Sequence, residues 1–151
     1  MEENYKKIIG FIVEAGQKLL VKAGKVRDIG VTKVNLTEED LEIERGLKSI
    51  VNQFEQDSIV YAEEENAVFE KAENLWVIDP ISGTHRFIQG EPHYAIVLTH
   101  LVKHSSQFAV VYDPSVDELF TAFAGHGAFL NGKPIHVSEE TATVMVRPSL
   151  A

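Results

Sequence analysis

The chain has no cysteine among its 151 residues, so neither a disulfide framework nor a thiolate metal site is open to it. That absence does not by itself fix the compartment. Basic residues are also scarce: 14 Lys and Arg stand against 23 Asp and Glu, for a formal net charge of −9. Nucleic acid and anionic membrane both attract Lys/Arg-rich surfaces, so neither is expected as the main partner. No apolar run approaches the ~18 residues that would span a bilayer. The N-terminus, Met1-Glu2-Glu3-Asn4-Tyr5, is acidic and lacks an apolar signal core. No repeat, linker or low-complexity segment interrupts the chain. These absences predict a soluble, cytoplasmic protein.

What is present suffices for one core. Hydrophobic residues make up 44% of the sequence, and the length is that of one domain spanning residues 1–151. The acidic excess is concentrated in Glu38 to Glu44 and Glu63 to Glu73, runs that read as solvated faces.

From about Tyr5 to Ala23, Ile8, Ile9, Ile12, Ala15, Leu19 and Leu20 recur at three- and four-residue spacing. This predicts an amphipathic helix with Gly24 as its stop. Thr37-Glu38-Glu39-Asp40 has the form of a capping box, and Leu41, Ile43, Leu47, Ile50, Val51 and Phe54 supply the inward face of a second helix ending near Gln56. The period then changes. Ser58 to Ala62 and Leu75 to Asp79 have the length of buried strands. Tyr94 to Val102 and Gln107 to Tyr112, either side of the polar Lys103-His104-Ser105-Ser106, read as a hairpin. Glu118 to Phe123, Gly127 to Leu130 and, after the tight-turn pair Asn131-Gly132, Ile135 to Val137 continue it. Thr141 to Val146 has the composition of one further strand. The expected architecture is α+β, two helices packed on a largely antiparallel sheet.

Chemistry is concentrated in Asp79-Pro80-Ile81-Ser82-Gly83-Thr84, directly after the apolar Leu75-Trp76-Val77-Ile78. Asp79 emerges at a strand end, as do the carboxylates of Glu63-Glu64-Glu65 after the preceding strand. Mg²⁺ takes hard oxygen ligands, commonly one or two carboxylates together with substrate phosphate and water. Gly83-Thr84 adds backbone amides at a helix start, a place suited to an anion, and the Thr84 hydroxyl can orient a water. Taken by residue type alone, the same stretch also reads as an Asp-Pro turn followed by an ordinary helix cap. Among the histidines, His85 is placed to touch a bound anion. His100 and His104 read as partly exposed sheet residues, and His93, His126 and His136 have no ligand-type companion at local spacing and receive no role.

Several motifs in order resemble the inositol monophosphatase family of metal-dependent, lithium-sensitive phosphatases. They are Ala62-Glu63-Glu64, the run from Trp76 to Thr84 with Phe87, and Ala109-Val110-Val111-Tyr112-Asp113-Pro114. Glu118-Leu119-Phe120-Thr121-Ala122 and the segment from Gly125 to Gly132 follow. Val31-Thr32-Lys33-Val34-Asn35-Leu36 resembles the family's Val-Thr-x-x-Asp strand before the second helix. The resemblance implies that Glu63 and Asp79 are Mg²⁺ ligands together with the carbonyl of Ile81. It implies that Gly83 and Thr84 bind phosphate, and that Glu63 and Thr84 activate the attacking water. The implied chemistry is metal-assisted in-line hydrolysis of a phosphomonoester; no organic cofactor is implied.

Four departures bear on that expectation. Ser82 replaces the Asp of Asp-Gly-Thr, Asn35 replaces the Asp of Val-Thr-x-x-Asp, Ala62 replaces a Gly, and the chain ends where the family's second half begins. A hydroxyl or amide can coordinate a cation but cannot offset repulsion between two of them. Losing one oriented catalytic group commonly costs ~10²–10³-fold in rate. The expectation is therefore a divergent, half-length relative without efficient phosphatase activity that retains a weak phosphate or Mg²⁺ site. The alternative is a Mg²⁺-dependent phosphomonoesterase for inositol phosphate or a similar small sugar or nucleotide phosphate, completed by another chain or as part of a longer product. A purely structural module is the third reading. A free half should also expose apolar surface or a strand edge, which predicts a homo-oligomer, most simply a two-fold dimer.

Overall fold

The computed structural model describes residues 2–31, 34–55, 58–62 and 72–137. Two long helices open the chain, α1 (Glu2–Lys22) and α2 (Glu38–Phe54). Strands β1 (Ile59–Ala62) and β2 (Asn74–Ser82) follow, then a short helix, α3 (Thr84–Gln89). The remainder is β3 (Ala95–Val102), β4 (Ser105–Asp113), β5 (Glu118–Phe123), β6 (Gly127–Leu130) and β7 (Lys133–Ile135). The strands form one seven-stranded sheet in sequence order. Only β1 and β2 pair in parallel; every later pair is antiparallel. The expected α+β arrangement is what the chain adopts. The further strand expected at Thr141 to Val146 lies outside the described residues. No helix among the described residues is long and apolar enough to cross a membrane.

Periodicity in the sequence becomes burial in the fold. Tyr5, Ile8, Ile12, Ala15 and Leu19 line the inner face of α1, while Leu20 turns outward and is half exposed. Ile43, Leu47 and Val51 do the same for α2. Both helices pack on one face of the sheet, over Trp76, Ile78, Ile96, Leu98, Phe108, Val110 and Tyr112. Two glycines allow the close approach. A side chain at Gly46 would meet the Phe11 ring, and one at Gly16 would meet the ring of Tyr112. The predicted stop at Gly24 is realised: its φ is 72°, its amide donates to the Phe87 carbonyl at 2.9 Å, and its Cα lies against Gly90 at the far end of α3. The end of α1 thus fixes the position of α3. Lys103 and His104, both at positive φ, form the two-residue turn between β3 and β4, and the strands extend through Ser105 and Ser106 to meet it.

On the other face the same registers line up mostly apolar rows. Tyr61, Val77, Thr99, Ala109, Ala122 and Ala128 form one. Asp79, Val97, Val111, Phe120 and Leu130 form the next. Every one of these side chains is half-buried, because α1 and α2 lie on the opposite side.

His100 departs from the sequence expectation. It is 1% exposed, within the core beneath α1. Its ring stacks on Trp76 with centroids 4.0 Å apart. Glu55, just past α2, accepts from Trp76 Nε1 at 2.6 Å and from Asn74 Nδ2 at 3.2 Å. That pairing turns Asn74 Oδ1 toward His100 Nε2, 2.8 Å away, so Nε2 carries the proton and Nδ1 accepts from the Tyr5 hydroxyl at 2.9 Å. Burial pushes the imidazole below its usual value, and the Glu55 carboxylate only partly opposes it. The neutral ring is the one the fold satisfies, and its 3.5 Å approach to Glu55 is not an ion pair at neutral pH.

A histidine depressed in the folded state takes up protons first in the unfolded chain. Its stabilisation is fully present above about pH 6.5, the unfolded value, and is lost as pH falls through the folded value. Urea denaturation at pH 7.5 and 5.5 should show a fall in stability that is smaller in His100→Gln. Equal pH slopes in the two proteins would contradict the assignment of a neutral buried ring.

Candidate functional site

β2 runs apolar until Asp79, where the register with β3 shifts before resuming at Ser82 opposite Ala95. The irregularity keeps Pro80 and Ile81 buried and leaves Asp79 and Ser82 half-buried at the strand end. Gly83 then caps α3 with φ 89° and ψ 34°. A side chain there would come within 3.2 Å of the His93 carbonyl, so the turn needs glycine both for its conformation and for its space. Arg86 and Phe87 donate their amides to the Gly83 carbonyl. Phe87 is fully buried and packs against Tyr94, which anchors α3 from beneath. The amides of Thr84 and His85 open the helix, where no preceding turn supplies an acceptor.

Thr84 is buried, and its hydroxyl donates to the Ile81 carbonyl at 2.6 Å. The same hydroxyl lies 3.3 Å from Asp40 Oδ1. Asp40 is fully buried at the first turn of α2. Its Oδ2 accepts from the Thr37 amide at 2.8 Å and from the Thr37 hydroxyl at 2.6 Å, completing the predicted capping box. One carboxylate therefore closes the start of α2 and faces the start of α3.

Of the residues implicated from sequence, Ile81, Gly83 and Thr84 form one turn, with Asp79 at the end of the strand that leads into it. Glu63, with Glu64 and Glu65, lies outside the described residues. His85 is exposed on the first turn of α3. Asn35 stands elsewhere. It is exposed at φ 60° in a loop whose amides wrap Asp28: those of Asn35 and Gly30 donate at 2.8 Å and that of Leu36 at 3.1 Å. These bonds, Asn35's first among them, hold the Asp28 carboxyl below the usual range. None of the described residues of that loop belongs to a strand. The carboxylate that reaches the Gly-Thr turn is Asp40, five residues later, within a second Thr-x-x-Asp spacing, Thr37 to Asp40. Sequence reasoning assigned that spacing entirely to helix capping. The fold thus brings a carboxylate to the Gly-Thr turn from the next turn of chain, whereas Asn35 stands apart from that turn.

A sequence-distant companion to His93 was missed as well. Its amide donates to Ser115 Oγ at 2.9 Å, and its Nδ1 lies 3.3 Å from Asp113 Oδ2. Twenty residues of separation hide the pair from any local spacing rule. Among the described residues no three His, Cys, Asp or Glu side chains come together as a metal cluster. The oxygens that do stand at the β2 end, the Asp79 carboxylate and the Ile81 carbonyl, are of the hard type Mg²⁺ prefers.

Comparison with known proteins identifies the family and the fold. The statistical description of the inositol monophosphatase family matches residues 2–149. A fructose-1,6-bisphosphatase/inositol-1-monophosphatase of Thermotoga maritima is 34% identical over 137 residues, covering 89% of this chain and 53% of its own. The Nus factor SuhB of Pseudomonas aeruginosa is 49% identical over 69 residues, 46% of this chain and 26% of that protein. A solved IMPase from Thermotoga maritima superposes with a TM-score of 0.78 at 33% identity, over 93% of this chain and 55% of that one. An IMPase/NADP phosphatase complexed with Mg²⁺ and phosphate shares the fold with a TM-score of 0.76 at 21% identity, over 88% of this chain and 51% of that one. The chain spans about half the length of the relatives it matches along most of its own. Family motifs in order, the shared fold and a match along nearly every residue place this chain in the inositol monophosphatase family.

Proposed function

We propose that the turn from Asp79 to Thr84 receives the phosphoryl group of a small phosphomonoester, with Mg²⁺ held weakly beside it, and that hydrolysis by this chain alone is slow. The observation that carries the reading is the Thr84 hydroxyl, set between the Ile81 carbonyl and the Asp40 carboxylate. A hydroxyl has one proton. Directed at Ile81, it occupies one lone pair of that carbonyl. Turned to Asp40, it leaves the carbonyl open to a cation and presents an oxygen lone pair to a water. The water's proton can then pass to Thr84 Oγ as the Thr84 proton passes to Asp40, which is general base assistance through a hydroxyl.

Asp79, the Ile81 carbonyl and Glu63 from the adjoining segment are the groups that would hold Mg²⁺. When bound, the ion would neutralise phosphoryl charge and acidify the attacking water. Ser82 argues for weakness. It stands where the family carries an Asp, and a neutral hydroxyl leaves repulsion between close cations uncompensated. The retained site is thus closer to a phosphate and cation receptor than to an efficient catalyst.

A second reading is favoured by the second face of the sheet. Asp79 ends a row that continues through Val97, Val111, Phe120 and Leu130, so the site opens at the rim of an apolar surface. A polypeptide covering that surface would also border the site. In this reading the chain acts as a Mg²⁺-dependent phosphomonoesterase on an inositol, sugar or nucleotide phosphate once such a layer is supplied. Left uncovered, the face favours a two-fold dimer.

Mg²⁺-dependent phosphate release from inositol 1-phosphate and from nucleotide 3′-phosphates should stay near background for the unmodified chain. Ser82→Asp should raise it by roughly ten-fold or more, since single oriented groups are worth ~10²–10³ in rate. Efficient turnover by the unmodified chain would refute the weak-hydrolysis reading. Calorimetric titration with Mg²⁺ or Mn²⁺ should show binding that Asp79→Asn abolishes; an unchanged isotherm would remove Asp79 from the site. Sedimentation across the micromolar range should show self-association weakened by Val111→Glu, and a monomer throughout would exclude the dimer.

A further inference from the structure

Asp113, Ser115 and His93 form a preorganised group beside the phosphate turn that no step above uses. Ser115 donates twice to Asp113 Oδ1, from its amide at 2.9 Å and from its hydroxyl at 2.6 Å. This leaves Oδ2 for His93 Nδ1 at 3.3 Å. Ser115 Oγ in turn accepts from the His93 amide, which holds that residue at φ 68°, a left-handed conformation unusual for histidine. The clamp is built from both ends: backbone through Ser115, ring through Asp113. Because a carboxylate offers only lone pairs, Nδ1 carries a proton and Nε2 is the nitrogen turned outward. Nε2 makes no hydrogen bond among the described residues, and the His93 side chain is 63% exposed while Asp113 is 15% exposed.

The group's position gives it a use. The His93 carbonyl packs against Gly83, so its backbone adjoins the turn proposed to receive the phosphoryl group. Asp113 lies two residues beyond Val111, on the same sheet face as the row that starts at Asp79. Two strand spacings of about 4.8 Å separate β2 from β4, which puts Asp113 roughly 10 Å from the strand carrying Asp79 and Ser82, and the His93 side chain reaches from beside the turn toward that carboxylate. That distance exceeds the reach of a phosphate ion and suits a hydroxylated alcohol attached to one.

We propose that His93, positioned by Asp113 and Ser115, contacts the alcohol portion of the phosphomonoester through Nε2 and so reads which alcohol is bound. The proposal rests on the phosphate reading given above. It adds a specificity contact separate from the groups that hold phosphate and metal: Nε2 accepts from, or when protonated donates to, a hydroxyl of the alcohol.

Calorimetry with inorganic phosphate and with inositol 1-phosphate, each with Mg²⁺, tests it. Asn in place of His93 tolerates the left-handed backbone and keeps an N–H near the Nδ1 position for Asp113, while deleting the Nε2 position. His93→Asn should leave phosphate affinity unchanged and weaken inositol 1-phosphate about ten-fold, as expected for one lost hydrogen bond. His93→Gln, whose longer amide reaches the Nε2 position, should recover much of that loss. Asp113→Asn, which loosens the ring, should weaken inositol 1-phosphate selectively but less. An unchanged affinity ratio in His93→Asn, or parallel weakening of both ligands, would overturn the specificity role and leave the phosphate reading standing. A wild-type chain that binds neither ligand would remove both together.

Discussion

The buried carboxylate of Asp40 is the constraint on which the site is arranged. It is shielded from bulk solvent, so it must be met by donors, and Thr37 supplies two of them from the residue that caps α2. The start of α2 is thereby held in one conformation. Its other oxygen faces the Thr84 hydroxyl, so the start of α3 is placed relative to the same point. Because a charge buried without donors is costly, the cap and the site cannot be separated: stabilising the helix and presenting a carboxylate to the Gly-Thr turn are one act.

Other contacts serve that placement. The far end of α3 is set by Gly24 and Gly90, whose backbones touch because neither carries a Cβ. Phe87 anchors the helix from below. The polar cluster around His100 ties the opposite end of the sheet to both long helices: Tyr5 comes from α1 and Glu55 follows α2. The first face of the sheet is thus covered over β2, β3 and β4. The second is only half-buried, and the site sits at its edge. That asymmetry leaves the Gly83-Thr84 turn well anchored at the border of a half-buried face.

Much of the fold was legible in the sequence because its elements follow local rules. Three- and four-residue apolar spacing gave α1 and α2, Gly24 gave a stop, and Asn131-Gly132 gave a turn between β6 and β7. His100 was misread because strand alternation tells which residues share a face but not which face is covered. Its exposure depended on α1 crossing above it. Asn35 and Asp40 show the opposite failure. Two Thr-x-x-polar spacings lie five residues apart, and capping gave a complete local account of the second. Only contact with Thr84, forty-four residues on, shows that Asp40 also reaches the Gly-Thr turn.

By itself the sequence determined the family and the replacement at Ser82, because each is a statement about residue types in order along the chain. The tertiary structure alone decided that Asp40 reaches Thr84 and that His93 meets Asp113 across twenty residues. It also decided that Asp79 ends an apolar row at the rim of a face left half-buried. Those are statements about which distant segments lie within hydrogen-bonding distance, and they depend on helix placement and strand register, which no local spacing encodes.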